Sequence, residues 1–441
     1  MESITILNFI TIMVVLAAFF LLINVRFLKL PSTIGLMILA LSLSLFIIFG
    51  ELVFSTLREM SSNMMEQYSF SDILFKVMLS FLLFAGALEM DLATIGKEKW
   101  TILILATMGV IVSTFIVGFS IYYMLPVIGL ELDLIYCLLF GALISPTDPI
   151  AVLAMIKKTK VSKNLESQIA GESLFNDGVG VVVFLTILGI AFSPDPHISP
   201  MEVAMLFGEE VIGGILLGAL FGFVGLKLLI IIDNEHTEIE VLVTLSMVMG
   251  GASIAEILHV SGPLAMVTMG LFVGNKGRSK DLEEAAGEYV YKFWHLMDEA
   301  MNAILFILIG LQIIQITWKA DYFIAAAFAI VVVLISRFIS VGGPISTMRL
   351  FKHYPKYTVR ILTWSGLRGG ISVALALSLY DKAKEFPALE GTINLIVVMT
   401  YCVVLFSIVV QGLTIGKLFE KANADLKSTA ENKAQEAKSE K

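Results

Sequence analysis

The sequence predicts an all-α polytopic membrane protein with about thirteen transmembrane helices. Of its 441 residues, 57% are hydrophobic and only 15% are charged, and the mean hydropathy is +0.89. Soluble domains are about 45–50% apolar and about 25% charged. Apolar runs of about 20 residues recur along the chain, and each can cross roughly 30 Å of hydrocarbon as a helix. The thirteen runs are roughly 4–25, 31–54, 71–90, 101–125, 133–156, 167–192, 201–231, 239–258, 261–276, 296–317, 321–348, 359–381 and 391–415.

The distribution of Lys and Arg predicts how these spans are oriented. Seventeen of these residues lie between spans or near span ends on one side, five lie on the other side, and six in the C-terminal tail join the richer side. Because cytoplasmic loops carry the excess of positive charge, we predict an inner (cell) membrane protein with a cytoplasmic C-terminus and an external N-terminus. Residues 55–70 are predicted to be an exposed loop, and residues 277–295 an amphipathic helix on the inner surface.

Composition and motifs also exclude several classes of protein. The formal net charge of −8 gives no footprint for a nucleic-acid partner. Cys137 and Cys402 lie far apart in apolar runs and have no metal-ligand spacing. The chain has no GxSxG, no Walker lysine loop and no GxGxxG after a strand. We therefore expect that the protein is not an enzyme and binds no cofactor. We expect the lipid bilayer to surround it.

Intramembrane charges are the first candidates for function. Arg337 and Arg368 are the two basic residues that remain inside predicted spans once those near the span ends are assigned to one side or the other. A charge at the bilayer centre costs about 2.5–3.5 kcal/mol on insertion scales, so it persists only where it faces protein or water and has a partner.

The stretch Ser-Pro-Thr-Asp-Pro at 145–149 interrupts the fifth span. Pro146 and Pro149 remove backbone donors, so the helix must break there. Irregular backbone at membrane depth is tolerated only where it is buried in protein or lines a cavity. Asp148 before Pro149 fits the N-cap of a second half-helix. The alternative is a simple proline kink that Asp148 caps.

The sixth span carries the polar stretch Gly-Glu-Ser-Leu-Phe-Asn-Asp at 171–177. Ser173 and Asp177 are four residues apart and share one helix face, while Glu172 and Asn176 share the adjacent face. The first pair suits alternate binding of a small cation and a proton, and the second pair suits contact with a cation such as Arg337. The alternative, a structural carboxylate paired with arginine, fits Glu172 better than Asp177.

The stretch Trp-Ser-Gly-Leu-Arg-Gly-Gly-Ile-Ser at 364–372 interrupts a second helix, seven spans after the first. An odd offset gives the two interrupted helices opposite orientations, which points to a transport site between two inverted six-helix repeats. The glycines could instead be only a close-packing patch. The predicted units are a membrane region (1–415) with repeat one (about 1–192), a connector helix (about 201–231) and repeat two (about 239–415), and a short cytoplasmic tail (416–441).

These motifs, in this order and spacing, resemble the sodium/proton exchanger branch of the monovalent cation/proton antiporters, NhaP-like in bacteria and archaea. The resemblance spans essentially all thirteen predicted helices. It implies a homodimer in which each protomer has a dimerisation domain and a six-helix core. It also implies that the two broken helices cross in the core, and that the core moves like an elevator.

The resemblance also implies roles for individual residues. Asp177 would carry the ion and the proton, with Thr147 and Ser173 as supporting ligands for Na⁺. Glu89, at the inner end of the third span, matches a further acidic position of some archaeal members, although it could be only an interfacial residue. An Asn before the carboxylate goes with electroneutral, one-for-one exchange in the superfamily.

Five further residues would stabilise the core according to the same resemblance. Glu172 would pair with Arg337 and, with Asn176, hold the core together. Asp148 and Arg368 would sit at the helix crossing and offset the dipoles of the half-helices.

Physical reasoning gives the same coupling rule. Desolvation disfavours the charged form of a buried carboxylate, so Na⁺ (or Li⁺) and H⁺ compete for Asp177, and only the neutralised site crosses cheaply. We therefore expect an antiporter that exchanges Na⁺ for protons, with sodium transport and pH homeostasis as its roles. Three alternatives stay open: K⁺/H⁺ exchange by the same machinery, an ion channel, and an intramembrane hydrolase that uses Asp148 and Asp177.

Overall fold

The computed structural model of the chain describes residues 6–49, 73, 78–159, 163–193, 200–232, 237–276, 286–314, 316–352, 354–355 and 357–422. Within these ranges the regular secondary structure is helical, which confirms the all-α class. The helices, in chain order, are α1 (Ile6–Ile23), α2 (Ser32–Phe49), α3 (Leu79–Glu89), α4 (Leu92–Ala106), α5 (Met108–Met124), α6 (Leu134–Ile144), α7 (Ile150–Thr159), α8 (Lys163–Ala191), α9 (Pro200–Ile232), α10 (Thr237–Ile257), α11 (Gly262–Lys276), α12 (Ala286–Leu311), α13 (Ala320–Met348), α14 (Thr358–Trp364), α15 (Gly370–Glu385) and α16 (Glu390–Phe406).

Hydropathy separates two kinds of apolar helix in the described ranges. Nine helical runs are long and apolar enough to cross a membrane, and four apolar helices are shorter. Two of the short ones, α6 and α15, belong to the interrupted spans, so each needs its partner half-helix to reach across the bilayer. The polytopic character is therefore confirmed, whereas the count of thirteen spans and the division into repeats stay predictions.

The start of α4 differs from the prediction, which placed the fourth span at 101–125. The Asp91 carboxylate accepts a hydrogen bond of 3.0 Å from the Ala93 backbone N–H and caps the helix nine residues earlier. The buried charged residue of this first part is accommodated by partners. Glu98 is 1% exposed and accepts hydrogen bonds of 2.6 Å from Gln168 and from Lys352.

Residues 286–295 of the amphipathic helix predicted at 277–295 are helical, with Tyr289 and His295 exposed and Trp294 buried. They are the first part of a longer helix, α12, which runs without interruption through Ala286–Leu311, and Trp294 is 1% exposed because it packs against other helices. Its ring packs 4.6 Å from that of Phe84, and its N–H donates to the Thr244 hydroxyl at 2.9 Å. The indole ring can be buried between helices because its N–H has a buried hydrogen-bond acceptor there. Residues 277–285 lie outside the described ranges.

The helical run that begins with α16 passes through a π-helical turn (Ser407–Gln411) and continues to residue 422. The first seven residues of the predicted tail, 416–422, are therefore helical. The rest of that tail, 423–441, and the predicted loop 55–70 lie outside the described ranges.

Both predicted helix breaks are present, and they cross each other. One lies between α6 and α7, and the other lies between α14 and α15. An antiparallel bridge joins them, with the Asp148 backbone N–H donating to the Leu367 carbonyl at 2.7 Å. The approach of α8 to the first break requires a glycine, because a Cβ at Gly180 would lie 2.1 Å from Pro146 Cγ. The crossing gives otherwise unpaired backbone groups a partner at membrane depth.

Candidate functional site

A cavity of about 470 Å³ lies beside the helix crossing. Its deep end is lined by both breaks and by the polar part of α8, including Thr147, Asp177 and Gly369. Its other end is lined by the exposed residues Glu89 and Lys163, on the side predicted to be cytoplasmic. The breaks therefore line a cavity, which is the condition for irregular backbone within a membrane.

Asp177 is the acidic residue of α8 that faces this cavity. It is partly buried, and the cavity wall next to it includes Thr147 and Asp148. Within the described part of the chain, no hydrogen bond or ion pair joins its carboxylate to a protein group. The carboxylate is thus available to a cation or a proton from the cavity, and neither intramembrane guanidinium neutralises it.

Thr147 is held by two residues of α8. The Asn176 side chain accepts a hydrogen bond of 3.1 Å from the Thr147 backbone N–H and donates one of 2.8 Å to the Thr147 hydroxyl. The Ser173 hydroxyl donates to the Thr147 carbonyl. All three residues are at most 4% exposed. The backbone freed by the two prolines is therefore fixed, and the Thr147 carbonyl keeps a second lone pair for a further donor or cation.

Asp148 lies at the N-terminal ends of both second half-helices. Its Oδ1 accepts a hydrogen bond of 2.9 Å from the Ile150 backbone N–H and caps α7. Its Oδ2 occupies the space beside Gly369, where a Cβ would lie only 2.1 Å from that oxygen. Since helix N-termini carry partial positive charge, one carboxylate stabilises both ends at once.

The two intramembrane arginines lie at the C-terminal ends of the first half-helices. Arg368 donates to the carbonyls of Ser145 and Pro146 after α6, the latter at 2.9 Å. Arg337 donates to the Leu362 carbonyl in α14 at 3.1 Å and also forms an ion pair with Glu172. Positive charge is favourable at helix C-termini, so each broken helix has a cation at the end of its first half.

A second, water-sized cavity lies next to these arginines. It measures about 10 Å³ and is lined by Arg337, Arg368 and Thr363. Each of the three side chains has one buried polar atom without a hydrogen-bond partner in the described part of the chain: Nε, Nη2 and Oγ1, respectively. This volume and these three polar atoms suit one bound water molecule.

Glu89 is placed at the mouth of the large cavity. Its Oε1 lies 2.8 Å from His295 Nδ1, and both side chains are 48% exposed. In this conformation the carboxylate contacts an imidazole of α12 at the exposed end of the cavity. Its predicted role as an ion ligand stays a prediction.

The polar residues of the cavity wall include Asp298 and Asn302, which the sequence analysis missed, and Ser372, to which it gave no role. Asp298 and Asn302 fall inside the predicted span 296–317 and are four residues apart. That is the same spacing as Ser173 and Asp177, so the signal was available. Ser372 follows the second break and had no signal beyond its position.

Comparison with known proteins identifies the family of the chain. A family described as "Sodium/hydrogen exchanger, transmembrane" matches residues 14–421. The Na(+)/H(+) antiporter NhaP of Pseudomonas aeruginosa is 46% identical over 409 residues, which are 91% of this chain and 93% of that protein. The Na(+)/H(+) antiporter NhaH of Halobacillus aidingensis is 30% identical over 90% of this chain and 93% of its own length.

A solved structure has the same fold. The sodium proton antiporter MjNhaP1 from Methanocaldococcus jannaschii superposes with a TM-score of 0.72 at 20% identity. The match covers 94% of this chain and 98% of that one.

Proposed function

The chain belongs to the sodium/hydrogen exchanger family, whose members are transporters and not enzymes, and we propose that it exchanges Na⁺, or Li⁺, for H⁺ across the membrane. Asp177 is the proposed shared site, and the exchange is one for one. The observation that carries this proposal is the Asp177 carboxylate, which lines the large cavity and has no partner among the described protein groups.

Competition at one carboxylate explains how the two fluxes are coupled. Na⁺ would bind between the Asp177 carboxylate, the Thr147 carbonyl and the Ser173 hydroxyl, all of them hard oxygen donors on the same wall. A proton on Asp177 removes the negative charge that attracts Na⁺. Each ion therefore displaces the other, and one-for-one replacement leaves the net charge of the site unchanged.

The charge of the site also limits movement without cargo. An unneutralised carboxylate at the bilayer centre costs about 2.5–3.5 kcal/mol on insertion scales, which disfavours its passage by a factor of about a hundred. Binding of either cation removes this cost. We propose that the core carries the neutral site across by an elevator movement, as the resemblance implies, with a homodimer as the working assembly.

The Lys and Arg distribution supports an orientation with the cavity mouth in the cytoplasm. We therefore propose that the described conformation faces inward, in a cell membrane with the C-terminus inside. Cytoplasmic Na⁺ would then reach Asp177 through the mouth beside Glu89.

Purified protein in liposomes with an internal pH dye tests the proposal. Addition of Na⁺ or Li⁺ should move protons at a rate that does not depend on membrane potential. The Asp177→Asn variant should fold and lose exchange, whereas Glu256→Gln, at an exposed acid of α10 outside the cavity lining, should exchange normally. Normal exchange by Asp177→Asn would refute the assignment. K⁺ as the ion that drives proton movement would favour the potassium alternative.

A further inference from the structure

One face of α12 forms a path along the large cavity. His295, Asp298, Asn302 and Leu305 recur at intervals of three and four residues and so share this face. The last three line the cavity. At 1.5 Å per residue, the path is about 15 Å long.

The two ends of this path are fixed by contacts with other helices. At the mouth, His295 pairs with Glu89 of α3 at 2.8 Å. At the deep end, Leu305 packs against Gly370 of α15, where a Cβ would lie 2.7 Å from its Cδ1. Asp298 therefore lies between the mouth and the helix crossing. It is also near enough to both Glu89 and Asp148 to interact with them electrostatically.

Two buried oxygens on this wall have no hydrogen-bond partner in the described part of the chain. They are Asn302 Oδ1, in a side chain that is 4% exposed, and Ser372 Oγ, in one that is 1% exposed. Both residues line the cavity. A buried polar atom without a partner is costly, so its persistence calls for a bound group. Asn302 lies four residues after Asp298 on the same face of α12, and both residues line the cavity, so the first oxygen is on the same wall as a carboxylate.

The charge of the cavity wall determines which group can bind. Among the described residues, six carboxylates and one lysine line the cavity. A concave wall of one sign raises the local concentration of counter-ions. Oxygen donors together with negative charge suit a hard cation and not an anion.

We propose that Asp298, Asn302 and Ser372 form an outer cation subsite, which holds Na⁺ with part of its water shell before the ion reaches Asp177. This inference rests on the proposed function and adds a residue, Asp298, that sets affinity for the ion. The subsite raises the occupancy of the path at low Na⁺ and contributes nothing once Na⁺ saturates the exchanger. It therefore lowers KM and leaves kcat unchanged.

Exchange kinetics in liposomes test the subsite. Asp298→Asn should raise the KM for Na⁺ about tenfold, because it removes the one charged group among the three residues of the subsite. Asp298→Glu should restore most of the affinity. Glu299→Gln is the matched control, since that neighbouring acid is 68% exposed and outside the cavity lining, and its KM should equal that of the wild type.

Ser372→Ala tests the subsite with a variant that is not expected to misfold. Its hydroxyl has no hydrogen-bond partner among the described residues, so a purely structural serine predicts no change or a gain in stability. The subsite predicts a KM about threefold higher at unchanged kcat, as expected for one lost oxygen contact. An unchanged KM in both Ser372→Ala and Asp298→Asn would overturn the proposal.

Binding without transport separates this proposal from the proposed function. In an Asp177→Asn background, Na⁺ should still stabilise the protein weakly against heat, and this effect should vanish in Asp177→Asn/Asp298→Asn. Equal Na⁺ responses of the single and double variants would overturn the subsite and leave the role of Asp177 intact. Exchange that persists in Asp177→Asn would instead remove the proposed function.

Discussion

Arg337→Ala should destabilise the protein strongly, because it removes one partner of a buried ion pair. Arg337 is 6% exposed and Glu172 is 1% exposed, and the guanidinium is the partner of that carboxylate in the described part of the chain. Arg337 also donates to the Leu362 carbonyl of α14 at 3.1 Å. Alanine removes both contacts and leaves the buried Glu172 carboxylate without its ion-pair partner.

The magnitude follows from the burial of this pair. Removal of one partner from a buried ion pair costs about 3–5 kcal/mol, since the remaining charge has lost its solvation. Removal of both charges is often close to neutral, because the desolvation cost disappears with them. Glu172→Gln combined with Arg337→Met should therefore be more stable than Arg337→Ala alone. This ordering distinguishes a stranded charge from a simple loss of packing.

Thermal unfolding of the purified protein in detergent measures this effect. The control is Lys382→Ala, because Lys382 and Glu385 form an exposed ion pair on α15, 35% and 57% exposed. Surface pairs contribute about 0–1 kcal/mol, so the control should unfold close to the wild type. An Arg337→Ala protein as stable as this control would refute the reasoning, and so would a double variant less stable than Arg337→Ala.

Three further predictions follow from other contacts. Gly369→Ala should abolish exchange and lower the yield of folded protein, since its Cβ would lie 2.1 Å from Asp148 Oδ2. The control Gly391→Ala, whose Cβ would have nothing within 4 Å, should be neutral or about 1 kcal/mol more stable. Equal exchange by the two variants would contradict this prediction. Lys352→Met should lower the free energy of unfolding by about 1–3 kcal/mol in a thermal unfolding assay, because the buried Glu98 loses a charge-assisted hydrogen bond. Lys352→Arg should retain most of that stability. On the acidic side of the pH profile of exchange, each unit fall in pH should raise the KM for Na⁺ up to about tenfold at constant maximal rate, because one proton competes with Na⁺ for the site. A KM that does not change with pH in this range would exclude competition.

Much of the fold could be predicted because a bilayer leaves few options for polar backbone. The apolar runs, the two proline residues of the first break and the glycines of the second predicted helices and their interruptions. The crossing is visible in the structure as the bridge between Asp148 and Leu367. Sequence spacing alone could not supply that register, because it depends on how four half-helices pack.

The parts that were missed depend on contacts between distant residues. The early start of α4 brings Glu98 into the interior, where Lys352 is a partner from 254 positions away. Trp294 resembles a surface aromatic until Thr244 provides an acceptor for its N–H. Asp298 was overlooked because it lies beside Glu299 near the end of a predicted span, where acids are often interfacial. Only the fold shows that it faces the same cavity as Asp177.

The contacts at the crossing explain why one acid there differs from the others. Asp148 is engaged by the N-terminal end of α7, and Glu172 is engaged by Arg337. Both arginines in turn donate to carbonyls of the first half-helices. These fixed charges neutralise the ends of the broken helices without any ion from solution. Asp177 is excluded from this set and faces the cavity, so its charge has to be neutralised from outside the protein. An exchange of two cations at this position then requires no change in the structural ion pairs, which can stay intact through every cycle.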